Sequence, residues 1–295
     1  MRFAHIINPV IVKPSSDLYR AQPITFASMQ TAREYAQSQG VMVDIYTAQY
    51  PEDRGLVPPE FTMTPDLEQS VLDYGRFRVP RRLPLIRDIL DRLYQAAEDA
   101  DYLIYTNVDI ALVPHFYLTV AALIEQGYDA FTINRRSIPK LWTDVSHLPL
   151  MSAQVGAVHK GHDCFVFPRS AYPHYYLPNL CLGAFRVGMG VLVNLIYQAD
   201  NFELFRDLHL TYHLGNDRAH RLQMFDDYKA YNEAEFRKLL EHYDIVKNPR
   251  EHYMIQRLAN DYAPETIIKK IRKAISWRVQ KVQRVATAWK QDDEG

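Results

Sequence analysis

The sequence predicts an α/β protein, one domain around a central sheet followed by helices at the C-terminal end. Short apolar runs of strand length alternate with stretches whose apolar residues recur at helical spacing. The first three segments read strand, helix, strand, a βαβ unit that favours a parallel sheet with ligands at the carboxyl ends of its strands. With 295 residues, 47% of them hydrophobic and 23% charged, the chain is long and apolar enough to bury a core, and its bulk is not disordered.

The elements follow in order. Phe3-Ala-His-Ile-Ile7, ended by Asn8-Pro9, reads as a short buried strand. Phe26, Met29, Ala32, Tyr35 and Ala36 recur at helical spacing between Thr25 and Gln39, and Gly40 stops that helix. Val41 to Tyr46 is strand-like and ends in the loop Tyr50-Pro-Glu-Asp53. Residues 51–84 are proline-rich and read as an excursion with one short helix near Leu67 to Tyr74. Pro84 opens a helix that carries Leu85, Ile89, Leu93 and Ala97 on one face, and the buried strand Tyr102 to Tyr105 follows it. A helix from about Pro114 to Gln126, a strand from Asp129 to Ile133 and another from Asp163 to Phe167 come next. Residues 184–200 read as an apolar helix with Gly188 and Gly190 near its start, His209 to His213 as the last strand, and 221–243 as mixed-charge surface helices.

Composition excludes several classes of function. A net charge of −1 gives no global field for nucleic acid, and none is expected as a partner. Cys164 and Cys181, without repeated spacing or neighbouring histidines, read as reduced thiols and point to neither a disulfide framework nor a zinc site. The N-terminus lacks the apolar stretch of a secretory signal, and no segment has the ~20 apolar residues that cross a bilayer, so a cytoplasmic protein is expected.

Chemistry concentrates where the strand Tyr102–Tyr105 ends in Thr106-Asn-Val-Asp109. In an extended segment residues i and i+2 face one way, so Asn107 and Asp109 would present two oxygen-bearing side chains together. Such oxygens suit Mg²⁺ or Mn²⁺ beside a diphosphate. The alternative is that Asp109 caps the following helix or merely ends a strand.

Arg87-Asp-Ile-Leu, then Ala100-Asp-Tyr-Leu-Ile-Tyr-Thr-Asn-Val-Asp-Ile, then Pro114-His-Phe-Tyr117 resemble the metal-site region of GT-A glycosyltransferases, in which a helix, a buried strand and a DxD-type motif follow one another. The resemblance implies a single GT-A-like, Rossmann-like domain with a mixed central sheet over 1–220; beyond it the chain reads as a helical extension over 221–262 and a basic amphipathic helix with an acidic tail end over 263–295. It implies transfer of a sugar from a nucleotide-sugar donor to a glycan or lipid-linked acceptor, with Mn²⁺ or Mg²⁺ held by Asp109. His213, after the last strand, would be the second ligand, with Asp217 a lesser candidate. Asn107 stands where the motif has its first acid. Asn8 after the first strand, Tyr50 and Asp53 after the second, and Arg87 and Arg218 are the implied nucleotide or diphosphate contacts, joined less strongly by Arg81 and Arg82. Asp163, in Gly161-His-Asp-Cys-Phe-Val-Phe-Pro-Arg169, is the implied acceptor contact or general base, with His159 and His162 as polar neighbours. Each of these residues also has an ordinary structural role open to it, as a turn cap, a strand-end hydrogen bond or a surface ion pair.

From Ile267 the apolar residues Ile271, Ile275, Val279, Val282, Ala286 and Trp289 fall on one helical face, with eight Lys and Arg between Pro264 and Lys290. That pattern suits either peripheral contact with the inner face of a membrane through residues 265–290 or a helix packed on the domain with its basic face in water. Two other functions stay open. A sugar-phosphate nucleotidyltransferase would use a similar fold and metal, but Ile7-Asn-Pro-Val-Ile-Val12 has no glycine for its phosphate loop. A noncatalytic sugar- or membrane-binding protein is the other, and Asn107 keeps it in play.

Overall fold

A computed structural model describes residues 1–215, 226–268 and 275–276. The chain divides into two compact units, Met1–Leu239 and Leu240–Gly295. Arg218 and Asp217, together with residues 269–274 and 277–290 of the basic tail, lie outside the described residues.

The first unit is built on a seven-stranded sheet. Its strands, in chain order, are β1 (Arg2–Ile7), β2 (Met42–Thr47), β3 (Thr62–Met63), β4 (Tyr102–Thr106), β6 (Ala130–Ile133), β9 (Cys164–Pro168) and β10 (Phe202–Phe205). They lie in the order β10-β6-β9-β4-β1-β2-β3. β1, β2, β3 and β4 run parallel, as do β6 and β10, while β9 runs antiparallel between β4 and β6. The sheet is therefore mixed, and the reversed strand puts the start of β9 beside the ends of β4 and β6.

A second sheet holds the short strands β5 (Ala111–Leu112), β7 (Arg136–Ile138), β8 (Ala157–Val158) and β11 (Thr211–Leu214), ordered β5-β11-β7-β8. The strand expected over 209–213 belongs here and not to the central sheet. β5, β7 and β8 were not legible, because two or three residues are too few to display a period of two.

The helices are α1 (Leu18–Ser38), α2 (Ile86–Ala96), α3 (Phe116–Glu125), α4 (Leu148–Ser152), α5 (Val187–Gln198) and α6 (Asp226–His242). α1 starts seven residues before Thr25, where the sequence placed it, and carries Pro23 inside. The helix absorbs the proline in its second turn, and the adjacent Gln22 bonds both the N–H and the C=O of Val10, at 2.8 and 2.9 Å. The helix expected near Leu67–Tyr74 is a single 3₁₀ turn, Val71–Asp73, capped by Ser70. α1 and α3 cover one face of the sheet, where Met29, Ala32, Phe116, Tyr117 and Val120 join Phe3, Ile104 and Val166 in a core with almost no exposure. α6 is more than a surface helix, because Tyr228 stacks on Phe77 at 4.0 Å and Asn232 bonds the backbone of Cys181. Both cysteines are free and buried. In the second unit α7 (Tyr253–Tyr262) starts at His252, whose side chain accepts the Met254 N–H at 3.3 Å.

Candidate metal and sugar-transfer site

The site forms at the carboxyl edge of β4. The backbone does not stay extended there: the Ile110 N–H donates to the Asn107 carbonyl at 3.1 Å, closing a turn over 107–110. The expected same-side placement of Asn107 and Asp109 is corrected by this turn, which sends the two side chains to different partners.

Asp109 meets His213, with Oδ2 and Nε2 3.2 Å apart. The cause is the pairing of β5 with β11, in which Tyr212 lies opposite Ala111 in antiparallel register, so the ladder carries His213 back to the turn that holds Asp109. His213 Nδ1 lies 2.9 Å from the Gly215 carbonyl, which can only accept, so Nδ1 carries a proton and Nε2 is the nitrogen that faces the carboxylate. Two acceptors at that distance repel unless a proton or a cation lies between them. Burial opposes both charges, yet the hydrogen bond and the Asp109 charge hold the His213 pKa above its usual value, and His213 in turn holds that of Asp109 below its own.

The residues also fit a divalent ion. Neighbouring ligands each about 2.1 Å from a six-coordinate ion stand about 3 Å apart, close to the separation of this pair, and an imidazole whose other nitrogen is tied to a carbonyl is the usual form of a metal-binding histidine. Among the described residues no group of three or more His, Cys, Asp or Glu is arranged to hold a metal. The protein would thus supply two ligands and leave the rest to a bound anion and water. The pair opens into a cleft lined also by Asp17, Arg20, Lys140 and Thr143, and Lys140 pairs with Asp17 at 2.6 Å.

Asp163 lies beside this pair but faces other groups. Its Oδ1 accepts from Arg135 Nη1 at 3.0 Å and from Asn107 Nδ2 at 3.2 Å, while Tyr105 donates its hydroxyl to Asn107 Oδ1 at 2.9 Å. Asp163 Oδ2 is buried without a hydrogen-bond partner. His159 Nδ1 is 3.7 Å from it, but that nitrogen accepts the Gly161 N–H and has no proton to give. Burial raises the Asp163 pKa, Arg135 pulls it down, and the nearby Asp109 charge adds to the rise. Burial brings the neighbouring His162 down to about 4.

The other expected contacts are held by the scaffold. Asn8 donates to the Ala48 carbonyl at 2.6 Å, and Asp53 accepts the Ile11 N–H at 2.7 Å, so these two side chains tie the loops after β1 and β2 together. Tyr50 is buried, donates to the Gln69 carbonyl at 2.9 Å and has the Arg82 guanidinium 3.9 Å over its ring. Arg87, in the first turn of α2, lies 3.6 Å from Asp88. The structure thus brings together Asn107, Asp109, Asp163 and His213, and sets Asn8, Tyr50 and Asp53 in adjoining loops. Sequence reasoning missed Arg135, Arg20 and Lys140. For Arg135 a signal existed, a charged residue two positions beyond an apolar strand.

By sequence the chain matches no protein-family model and no curated protein. Among solved structures, residues 1–349 of S. aureus TarS in complex with UDP-GlcNAc are similar at a TM-score of 0.50, over 89% of this chain and 71% of that one, with 10% identity. The fold is that of the GT-A glycosyltransferases. The catalytic domain of Drosophila β1,4-galactosyltransferase 7 in complex with xylobiose is similar at 0.39, with 11% identity over 77% of this chain and 79% of that one. A mutant of that enzyme with manganese, UDP-Gal and xylobiose also scores 0.39, with 12% identity over 75% and 74%. The GT-A assignment rests on the first match and on the mixed seven-stranded sheet.

Proposed function

We propose that this chain is a metal-assisted glycosyltransferase that moves a sugar from a nucleoside-diphosphate donor to a hydroxyl of a glycan or lipid-linked acceptor. The observation that carries the reading is the Asp109–His213 pair, 3.2 Å apart in the cleft at the carboxyl edge of a GT-A sheet. Asp109 and His213 would hold Mn²⁺ or Mg²⁺, which neutralises charge on a departing nucleoside diphosphate. Arg20 and Lys140 lie in the same cleft, with Lys140 paired to Asp17. Asp163 Oδ2, buried and without a hydrogen-bond partner in the protein, would accept a hydrogen bond from a hydroxyl of the sugar or acceptor once ligand binding reaches it, and Arg135 opposes the rise in pKa that burial imposes on that carboxyl. Asn8, Tyr50 and Asp53 shape the loops that receive the nucleotide, and Arg87 and Arg218 are proposed diphosphate contacts.

The nucleotidyltransferase reading gains nothing from the loop after β1, where Asn8 and Val10 are tied down and no glycine lets a triphosphate approach the backbone. The basic segment 265–290 is proposed to rest on the inner face of a membrane and bring the protein to a lipid-linked acceptor. Among the described residues no helix is long and apolar enough to cross one.

The test is a panel of nucleotide-sugars with and without Mn²⁺, read by melting temperature and by release of nucleoside diphosphate. Metal-dependent stabilisation by one or more donors and turnover lost in Asp109→Ala are expected. Donor binding with no turnover under any acceptor condition would favour a noncatalytic binding protein, and no binding at all would remove the proposal.

A further inference from the structure

Asn107 occupies the position at which the GT-A motif places its first acid, and both polar groups of its side chain are engaged by protein partners. Its single carbonyl oxygen takes the Tyr105 hydroxyl at 2.9 Å, and its amide nitrogen gives a proton to Asp163 Oδ1 at 3.2 Å. The amide is oriented with its nitrogen toward the Asp163 carboxyl and its oxygen toward the Tyr105 hydroxyl. Arg135 Nη1 reaches the same Oδ1 at 3.0 Å. One oxygen of Asp163 is thus held by two donors, while the other is buried without a hydrogen-bond partner. The register of the sheet fixes this contact. β4 pairs with β9 through Thr106 and Cys164, so the next residues, Asn107 and Asp163, stand opposite each other where the ladder ends, and the Asn107 N–H points to the Asp163 carbonyl at 3.4 Å.

An aspartate at 107 would set two carboxylates against each other at hydrogen-bond distance in a buried site. We infer that Asn107 is a positioning residue for Asp163 and not a ligand of the metal, and that asparagine stands there because Asp163 faces it. This rests on the glycosyltransferase reading for its functional half, whereas the Asn107–Asp163 bond is a property of the fold alone.

The experiment compares Asn107→Ala, Asn107→Asp, Asp163→Asn, the double variant Asn107→Asp/Asp163→Asn, and Asp109→Ala, with Asn107→Ser as substitute should the alanine variant not fold. Mn²⁺ affinity is measured by calorimetry on nucleotide-free protein, melting temperature in metal-free buffer, and kcat and KM by donor turnover. Asn107→Ala is expected to keep the Mn²⁺ Kd within about threefold, while Asp109→Ala weakens it by at least about 10-fold. Its kcat falls about 10- to 100-fold, with donor KM changed less than about threefold. Asp163→Asn lowers the melting temperature of the wild type, because it leaves Arg135 without a charged partner. In the Asn107→Asp background it raises the melting temperature, because it removes one of two opposed carboxylates.

Loss of Mn²⁺ affinity in Asn107→Ala equal to that in Asp109→Ala would overturn the inference, and so would Asp163→Asn lowering the melting temperature in both backgrounds. A wild type that binds no Mn²⁺ and turns over no donor would defeat the glycosyltransferase reading, while the melting comparison would still decide the Asn107–Asp163 bond.

Discussion

His213 Nε2 faces Asp109 Oδ2 at 3.2 Å because a strand of two residues, β5, pairs with β11 and brings it back to the turn that follows β4. Residues 104 apart in sequence become one site through a ladder whose local sequence gives no sign of it.

Removal of either member has a defined consequence for metal binding. If Asp109 and His213 hold the ion, saturating Mn²⁺ raises the melting temperature of the wild type by about 5 °C or more, as expected when ligand is about 100-fold above its Kd. Asp109→Ala and His213→Ala should each lose most of that shift, and a scan of apo and Mn²⁺-loaded protein measures it. An undiminished shift in both variants would place the metal elsewhere.

Arg135 and Asp163 form a pair with both side chains about nine-tenths buried, 9% and 10% exposed. Removing one partner leaves an uncompensated buried charge at a cost of about 3–5 kcal/mol, whereas removing both avoids that penalty. Denaturant unfolding of Arg135→Met, Asp163→Leu and the double variant should therefore show the double variant less destabilised than the sum of the singles. Simple additivity would contradict the pairing.

His5 predicts an acid-sensitive core. Its ring bonds the Tyr117 hydroxyl at 2.8 Å and the Thr106 hydroxyl at 2.9 Å, and complete burial lowers its pKa from 6.5 to about 3. The unfolded chain therefore takes up this proton first. The neutral ring's contribution is fully present above pH ~6.5 and is lost as pH falls toward about 3, at up to about 1.4 kcal/mol per pH unit. Urea unfolding from pH 7 to 4 should give a shallower acid limb for His5→Gln than for wild type, whatever their difference at neutral pH. Parallel limbs would show that His5 does not carry the effect.

Gly188 allows α5 to approach the loop that leads into Asp163. A Cβ at 188 would come 2.7 Å from the His162 carbonyl oxygen, a backbone atom with little room to give. Gly188→Ala is expected to cost about 1–3 kcal/mol and to reduce turnover by displacing 162–163. Calorimetric unfolding and donor turnover check both, and a neutral result in both would mean that the loop shifts freely.

The central strands and the principal helices were legible because each carries its own periodicity. Phe3–Ile7 and Tyr102–Tyr105 are apolar runs, and Leu85, Ile89 and Leu93 mark a helix whatever surrounds them. Asp109, His213 and Asp163 were legible as candidates through the resemblance to GT-A enzymes. The start of α1 was hidden by Pro23, which a helix tolerates near its beginning, and β5, β7 and β8 by their brevity.

By itself, then, the sequence determined an α/β chain with a strand ending in Asn-Val-Asp, since hydrophobic period and strand length are local properties. Only the tertiary structure decided the roles of those residues. A turn at 107–110 parted Asn107 from Asp109, antiparallel β9 set Asp163 against Asn107 and Arg135, and the β5–β11 ladder delivered His213 to Asp109. Strand direction and pairing depend on which distant surfaces bury one another, and no short window of sequence encodes that choice.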